Sequence, residues 1–460
     1  MASLRKRSGR CLIATRSGLS LVGGMASWVT WVAFIAICTP TPELSLQERR
    51  TANQVADRLR QVGFDVTIAV GGTGVVGLLR NGSGPTVMLR ADMDALPVRE
   101  TTGLAYASVE LGPDSEGNQV PVMHACGHDT HVTWLVGAAS LLATATHAWN
   151  GTLLAVFEPA EEIAQGARAM IDDGLFERFP KPEVIFGQHV MPGEAVQIRY
   201  RTGTTQAAAD SLQVRLFGRG AHRSMPKSSV DPVVMAAATV MRLQTIVSRE
   251  IAASQAVVVT IGAMQAGTKD NVIPDEALLR INVRSFEERL RRHALDAIER
   301  IVKAEAQASG APKPPEIITT EHYPLTVNDG EWTDRVAAAL RAHFGIERVS
   351  ELSAPVSASE DFGSFGTEWG VPSVFWYVGG TDPDAYRAAE AAGRVSQYIP
   401  TNHNPDWLGC CSPRWRPGCT PWSLPCSTRS ASERVDGSGC GTRGGRRAVV
   451  SSGGTPARRR

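Results

Sequence analysis

The run His124-Ala125-Cys126-Gly127-His128-Asp129-Thr130-His131 places one thiol, three imidazoles and a carboxylate within eight positions. Cys126 and His128 alternate across Gly127, so an extended backbone would turn both toward one point. Thiolate and imidazole together suit zinc or a similar divalent ion. A cation and the N-terminus of a following helix would both favour the thiolate. Compatible groups recur in Ala91-Asp92-Met93-Asp94, in Glu158-Pro159-Ala160-Glu161-Glu162 and in Gly187-Gln188-His189. Metal-assisted hydrolysis needs one carboxylate as ligand and another as general base close by, and the pair Glu161-Glu162 can supply both. Each feature alone has a plainer explanation: a lone cysteine is ordinarily a small core residue, paired glutamates a solvated face, an isolated histidine a satisfied structural one. Their coincidence favours a metal site.

The elements needed to bring these clusters together are legible as short apolar runs. Val75–Leu79, Thr86–Arg90, Thr152–Phe157 and Val184–Phe186 read as strands, and three of them end directly in polar clusters. In open α/β sheets the C-terminal ends of strands are where ligand sites form. Ser45-Leu46-Gln47-Glu48 fits a capping box opening a helix to Val62, with Ala52, Val55, Ala56, Leu59 and Val62 on its apolar face and Gly63 as its stop. A second helix is expected over His131–Ala145, with Trp134 in the core. Strands alternating with helices predict an α/β layer around a mixed, largely parallel sheet.

Between residues 204 and 322 the pattern changes. Strands are expected at Ser211–Phe217, Ala256–Met264, Leu278–Arg284 and Glu316–Thr320, with helices at Pro232–Ser248 and Glu287–Ala308; Met241 is read as a core position. The order βαββαβ is the ferredoxin-like arrangement. It implies an inserted α+β domain interrupting a catalytic domain made of 42–203 and 323–407. A helix at Trp332–Phe344 and a strand at Ser373–Val378 complete that domain.

Composition separates this core from the ends. The 460 residues carry 47 Lys+Arg and 46 Asp+Glu, a formal +1. Residues 1–41 hold five bases and no acid, and 408–460 hold ten bases and two acids, which leaves 42–407 at −12. The balanced total argues against nucleic acid as a partner. Of eight cysteines only Cys126 lies in the core. Residues 1–41 admit two readings: a basic, then apolar targeting or anchor segment, or translation out of frame. Read one base earlier, permitted codons for Ala36–Thr41 encode Asp-Leu-His-Thr-His-Pro, and those for Trp422–Thr428 encode Val-Ala-Ala-Val-Leu-Asp; the frame reading is preferred. The Gly-, Ser- and Arg-rich tail from 408 is expected to be largely disordered.

The core resembles metallopeptidase family 20, in its amidohydrolase branch of hippurate and N-acyl-amino-acid hydrolases. The resemblance rests on Arg90-Ala91-Asp92-Met93-Asp94-Ala95-Leu96-Pro97, His124-Ala125-Cys126-Gly127-His128-Asp129, Pro159-Ala160-Glu161-Glu162, Gly187-Gln188-His189 and Thr401-Asn402-His403-Asn404-Pro405. Gly218-Arg219-Gly220-Ala221-His222, Asn271-Val272-Ile273-Pro274 and Ser359-Glu360-Asp361-Phe362 also match. The resemblance implies two divalent ions, zinc or manganese first and cobalt or nickel next, held by Cys126, His128, Glu162, His189 and His403. Glu161 would be the general base. His222 would stabilise the anionic intermediate, often from a partner subunit. Asn271 and Arg284 are candidates for the substrate carboxylate, although Arg284 equally fits a structural ion pair. Asp92, Asp94 and Asp129 would hold the ligands in place. Glu360-Asp361 would act similarly or cap local backbone, and His124 and His131 receive no role.

The chain departs from the branch in four places. Glu158 stands where a glutamine is usual, and Ile163-Ala164-Gln165-Gly166 replaces a glycine-rich run. Thr39 and Thr41 occupy the histidine positions of the usual Leu-His-x-His, and the family's closing helix is missing. The expected protein is a cytoplasmic, metal-dependent amidohydrolase acting on small N-acyl amino acids or related acyl-amides. It would be a homodimer through the inserted lid and dimerisation domain, with no membrane segment in its core. A genuine targeting segment would instead place it outside the cytoplasm or on a membrane. The alternatives are a non-catalytic acyl-amide or peptide-binding protein of the same fold, and an enzyme inactivated by its aberrant termini.

Overall fold

A computed structural model describes residues 39–407. The expectations for the frame, targeting and tail of 1–38 and 408–460 lie outside the described residues. The described chain begins with α1 (Arg49–Gln61), β1 (Asp65–Val70), β2 (Gly74–Asn81), β3 (Thr86–Asp92), α2 (His128–Thr144), β4 (Gly151–Glu158), β5 (Val184–Glu194) and β6 (Ile198–Tyr200). It continues through β7 (Ala208–Phe217), α3 (Pro232–Thr245), β8 (Val257–Ala266), β9 (Glu276–Ser285), α4 (Glu288–Ala308) and β10 (Glu316–Tyr323). Then follow α5 (Gly330–Phe344), β11 (Val349–Glu351) and β12 (Ser373–Thr381).

Two sheets carry the architecture. The eight-stranded sheet has the order β1-β2-β4-β3-β5-β12-β6-β11. Its β3–β4, β3–β5, β5–β12 and β6–β11 pairs are parallel, and the remaining pairs antiparallel. Strands covered on both faces need apolar residues at nearly every position, and Leu153–Phe157 of β4 are all buried. Helices α1 and α2 cover one face through Val55, Leu59, Val132, Leu135 and Val136, while Met170, Phe362 and Phe365 help close another cluster.

The second sheet is four-stranded and antiparallel, in the order β8-β9-β7-β10. With α3 and α4 on one face it has the expected ferredoxin-like topology. Alternate residues Ala277, Leu279, Ile281 and Val283 of β9 point into a core that includes Met235, Leu243, Ile298 and Ile301. The segments leading into and out of this unit, Gly203–Gln206 and Thr326–Asn328, pair with one another as a two-stranded ribbon. No helix among the described residues is long and apolar enough to cross a membrane.

Four local expectations are corrected. The capping box does not form: Glu48 is the N-cap residue but makes no cap bond, and α1 starts at Arg49. Its carboxylate is instead drawn into the protein, and Ser45 Oγ donates to Asp94. The helix expected from His131 starts at His128, directly after Gly127 at φ 86°. Cys126 and His128 therefore meet through a left-handed turn, not an extended backbone. A side chain at Gly127 would also strike Val190, whose Cγ1 lies 2.4 Å from the Cβ position. The strand expected to stop at Phe186 runs on to Glu194, so His189 lies within it. Met241 is 72% exposed, on the outer side of α3, because Met235, Ala236 and Leu243 take that helix's buried positions. Trp134 is buried as expected.

Candidate metal and catalytic site

The C-terminal ends of β3 and β4, the middle of β5, the start of α2 and the loop at 402–403 converge. Cys126 Sγ lies 3.4 Å from His189 Nε2. The other ring nitrogen of His189, Nδ1, donates to Val190 O at 2.6 Å, so Nε2 is left with its lone pair facing the thiol. Burial first, then the neighbouring His131 and His128 rings, hold His189 well below the ordinary imidazole range and keep it neutral. His128 bonds Asp94 through Nδ1 at 3.2 Å and directs Nε2 inward, 3.7 Å from both Asp92 Oδ2 and Glu162 Oε1. His403 Nε2 lies 3.3 Å from Glu162 Oε2. Its backbone, at φ 69°, is fixed by a 2.7 Å bond from its own N–H to Ala125 O.

Two donor sets follow. Atoms of Cys126, His128 and His189 lie within 4.8 Å of one another, and so do atoms of Cys126, Glu162 and His403. Cys126 is common to both. His128 Nε2 and Glu162 Oε1 are buried with no hydrogen-bond partner. Native interiors rarely leave such atoms unsatisfied, and an imidazole nitrogen beside a carboxylate oxygen is the donor chemistry of a divalent cation site. Charge points the same way. Burial alone would keep His128 neutral, but Asp92, Asp94 and Glu162 raise its pKa to about 10. Burial, then Glu162, Glu161 and Asp92, push the Cys126 thiol well up. The pocket thus holds protons where a cation would neutralise the same carboxylates. The residues fit a metal pair.

A third set, Asp92 with His128 and His131, is also compact. His131, however, accepts the Val190 N–H at Nε2 (2.8 Å) and bonds Asp92 Oδ1 through Nδ1 (2.5 Å), so both of its nitrogens are occupied. It orients Asp92 and β5. Glu161 is buried beside this cluster, with an oxygen within 4.8 Å of atoms of His128 and Glu162. Burial, then Glu360, Glu162 and Asp361, raise its carboxyl well above the ordinary range.

Further carboxylates lie around these donor atoms. Asp94 holds His128 and also accepts from the Glu162 N–H (3.0 Å). Asp129 accepts from Thr39 Oγ1 at 2.5 Å, which ties Thr39 to the start of α2. His124 is buried, and neither of its ring nitrogens has a hydrogen-bond partner.

Three expected residues do not join the cluster. His222 is exposed and bonds Ser224 Oγ at 2.7 Å. Asn271 is also exposed, and its backbone carbonyl accepts from Arg223 N at 3.3 Å. Arg284 donates to Ser357 O (2.7 Å) and Ser359 Oγ (3.0 Å), binding the four-stranded sheet to the segment that carries Glu360 and Asp361.

Several residues without an assigned role prove central. Arg90 is fully buried and donates to Asp92 (2.7 Å), Glu360 (2.8 Å), Asp361 (3.3 Å) and Glu158. Glu360 and Asp361 thus face a buried guanidinium. Asn402 Nδ2 joins Cys126 O (3.0 Å) to Val190 O (3.1 Å), fixing the cysteine against β5. Tyr323, at the end of β10, donates to Glu161 O at 3.2 Å. For Arg90 a signal was available: strand period two puts residues 90 and 92 on one face, a base in line with an acid.

A mixed sheet with paired donor sets at its strand ends is an arrangement able to hold two divalent cations. The chain belongs to peptidase family M20/M25/M40, whose pattern matches residues 88–398. It is 40% identical over 328 residues to the hippurate hydrolase of Campylobacter jejuni, covering 70% of this chain and 82% of that one. Thermostable carboxypeptidase 2 of Saccharolobus solfataricus is 36% identical over 343 residues (74% and 82%). N-acetylcysteine deacetylase of Bacillus subtilis is 33% identical over 367 residues (78% and 92%). Among solved structures, a dinuclear metal-binding peptidase of the M20 family from Bacillus subtilis superimposes with a TM-score of 0.64 at 27% identity, over 84% of this chain and 93% of that one. The protein is a hydrolase of amide C–N bonds.

Proposed function

We propose that the protein hydrolyses the amide bond of small N-acyl amino acids, releasing a carboxylic acid and an amino acid. The observation that carries this reading is the pair of donor sets sharing Cys126, with the buried carboxyl of Glu161 alongside. Cys126, His128, Glu162, His189 and His403 would hold two divalent cations, zinc or manganese foremost. These would supply Lewis acidity toward the amide carbonyl and the attacking water. Glu161 takes the proton from that water and passes it to the departing nitrogen; its burial among acids gives it the proton affinity this shuttle needs. Asp92 and Asp94 keep the imidazole ligands in fixed orientation. The relatives' names support the substrate class: hippurate and N-acetylcysteine are both N-acyl amino acids.

Residues 42–203 with 323–407 form the catalytic domain in this reading, and 204–322 a lid that also dimerises. Val258 and Met264 on strand β8, at the edge of the lid sheet, are exposed, as are Val234 and Met241 on α3. Such an apolar edge suits a second copy of the chain. His222 and Asn271, exposed in one chain, would then serve the partner's site, with His222 on the oxyanion and Asn271 on the substrate carboxylate. A free Cys126 that must remain a thiolate fits the reducing cytoplasm. Retention of a buried Glu161 beside the donor sets argues against a mere binding protein.

The test is hydrolysis of benzoyl-, acetyl- and indoleacetyl-amino acids and of short peptides by the zinc- or manganese-loaded chain, before and after chelation. Metal-dependent release of the acid supports the reading. Tight binding without turnover would identify a binding protein.

A further inference from the structure

The Glu161-Glu162 pair sits in an unusual backbone. Glu161–Ile163 form one 3-10 turn, bounded by Ala160 at φ 52° and Ala164 at φ 55°. Residues with a Cβ disfavour this left-handed region, so the surroundings must hold it. Three groups do so. Tyr323 holds the Glu161 carbonyl, and Asp94 holds the Glu162 N–H while also orienting His128. The third is Glu48, whose Oε1 accepts the Ala160 N–H at 2.9 Å across 112 positions of sequence.

Glu48 is fully buried. Its Oε1 also accepts the N–H of Leu46 (3.0 Å), and its Oε2 accepts from Thr73 Oγ1 (2.5 Å). Leu46 is itself left-handed at φ 66°. One carboxylate therefore joins two strained turns, one before α1 and one carrying the candidate base and ligand.

We propose that Glu48 is a positioning residue for the acid pair: its Oε1 fixes the Ala160 turn and thereby the directions of Glu161 and Glu162. This rests on the hydrolase reading above for its catalytic consequence, though not for its structural one. The chemistry required of Glu48 is an acceptor oxygen at the right reach. Burial, with Asp94 next, raises its carboxyl to about 7, so near neutrality it is close to losing its charge while Oε1 still accepts both N–H groups.

Reach and charge are separable. Glu48→Gln keeps an oxygen at the same reach and removes the charge, whereas Glu48→Asp keeps the charge and withdraws it by one methylene. In the metal-free protein, amide exchange at Ala160 should accelerate about 100-fold or more in Glu48→Asp and stay near wild type in Glu48→Gln. In the loaded enzyme, kcat of Glu48→Asp should fall about 10- to 100-fold with KM within about twofold, because misplacement near 1 Å has effects of that order. Glu48→Gln should stay within about threefold. If Glu48→Asp does not fold, Thr73→Val frees only Oε2 and should give an intermediate acceleration of Ala160 exchange. Unchanged exchange in both Glu48→Asp and Thr73→Val overturns the proposal. So does a loss in Glu48→Gln as large as in Glu48→Asp, or a folded Glu48→Asp that loses only melting temperature. A wild-type chain that hydrolyses none of the substrates would refute the functional reading, and Ala160 exchange would still decide the role of Glu48.

Discussion

Replacing Glu161 by glutamine isolates the proton-transfer role from everything else the residue does. The residue is 5% exposed, and the backbone carbonyl, not the carboxylate, receives the Tyr323 hydrogen bond, so the exchange leaves the turn's anchor untouched. Glu161 belongs to neither donor set sharing Cys126, so two cations per chain should remain bound. Turnover should not survive. A positioned general base contributes about 10²–10⁴ in rate, which at 1.36 kcal/mol per decade is about 3–5 kcal/mol of barrier. The metal-free protein should at the same time become more stable near pH 8, since Glu161 is forced against Glu360, Glu162 and Asp361 and an amide relieves that repulsion. The measurements are kcat on benzoylglycine, metal content by mass spectrometry and melting temperature after chelation. A kcat within tenfold of wild type with both cations bound would refute the assignment. A lowered melting temperature would refute the electrostatic argument.

Three further outcomes follow from the buried charges. Glu158→Gln should stabilise the protein by about 1–2 kcal/mol in urea unfolding and leave kcat within about threefold: Arg90 keeps its acceptor, and the partnerless Glu158 Oε1 is replaced by an amide that can donate toward Asp361. A loss of stability would mean that the extra acid is needed. Arg90→Met strands four buried carboxylates and should cost about 3–5 kcal/mol in the same measurement; a cost under about 1 kcal/mol would contradict the account of that cluster. The folded pKa of Glu48 is raised from 4.5 to about 7, so its contribution is fully present below about pH 4.5 and is lost as pH rises through 7. Between pH 4.5 and 8 the metal-free wild type should lose about 3 kcal/mol relative to Glu48→Gln, and parallel pH profiles in urea unfolding would contradict this.

The clusters around Cys126, His128, Glu161-Glu162 and His189 stood out because metal chemistry limits which side chains can serve, and because apolar runs ended where those side chains began; His403 and the five-residue donor set came only with the family resemblance. The ferredoxin-like unit was readable from strand and helix periods alone, with ends moved by a few residues. What escaped was decided by contacts distant in sequence. Ser45-Leu46-Gln47-Glu48 has the local form of a helix cap, yet Thr73 and Ala160 claim the glutamate. Gly127 looked like a spacer in an extended run; packing against Val190 makes it the pivot of a left-handed turn. His131 lay unassigned among potential ligands until Asp92 and Val190 were seen to occupy both nitrogens. Met241 fits an apolar helical stripe, but the stripe that faces the sheet is its neighbour. Lone residues such as Tyr323 carry no pattern at all; only the fold brings that phenol to Glu161.

The central claim is that Cys126, His128, Glu162, His189 and His403 share one pair of cations. X-ray absorption on the zinc-loaded chain, paired with metal analysis of Cys126→Ser, tests it most directly. The account predicts two zinc ions per chain and a sulfur scatterer at about 2.3 Å, with both the sulfur signal and part of the metal lost in Cys126→Ser. A fully loaded wild type with no sulfur in the zinc shell, or an unchanged metal count in Cys126→Ser, would contradict it.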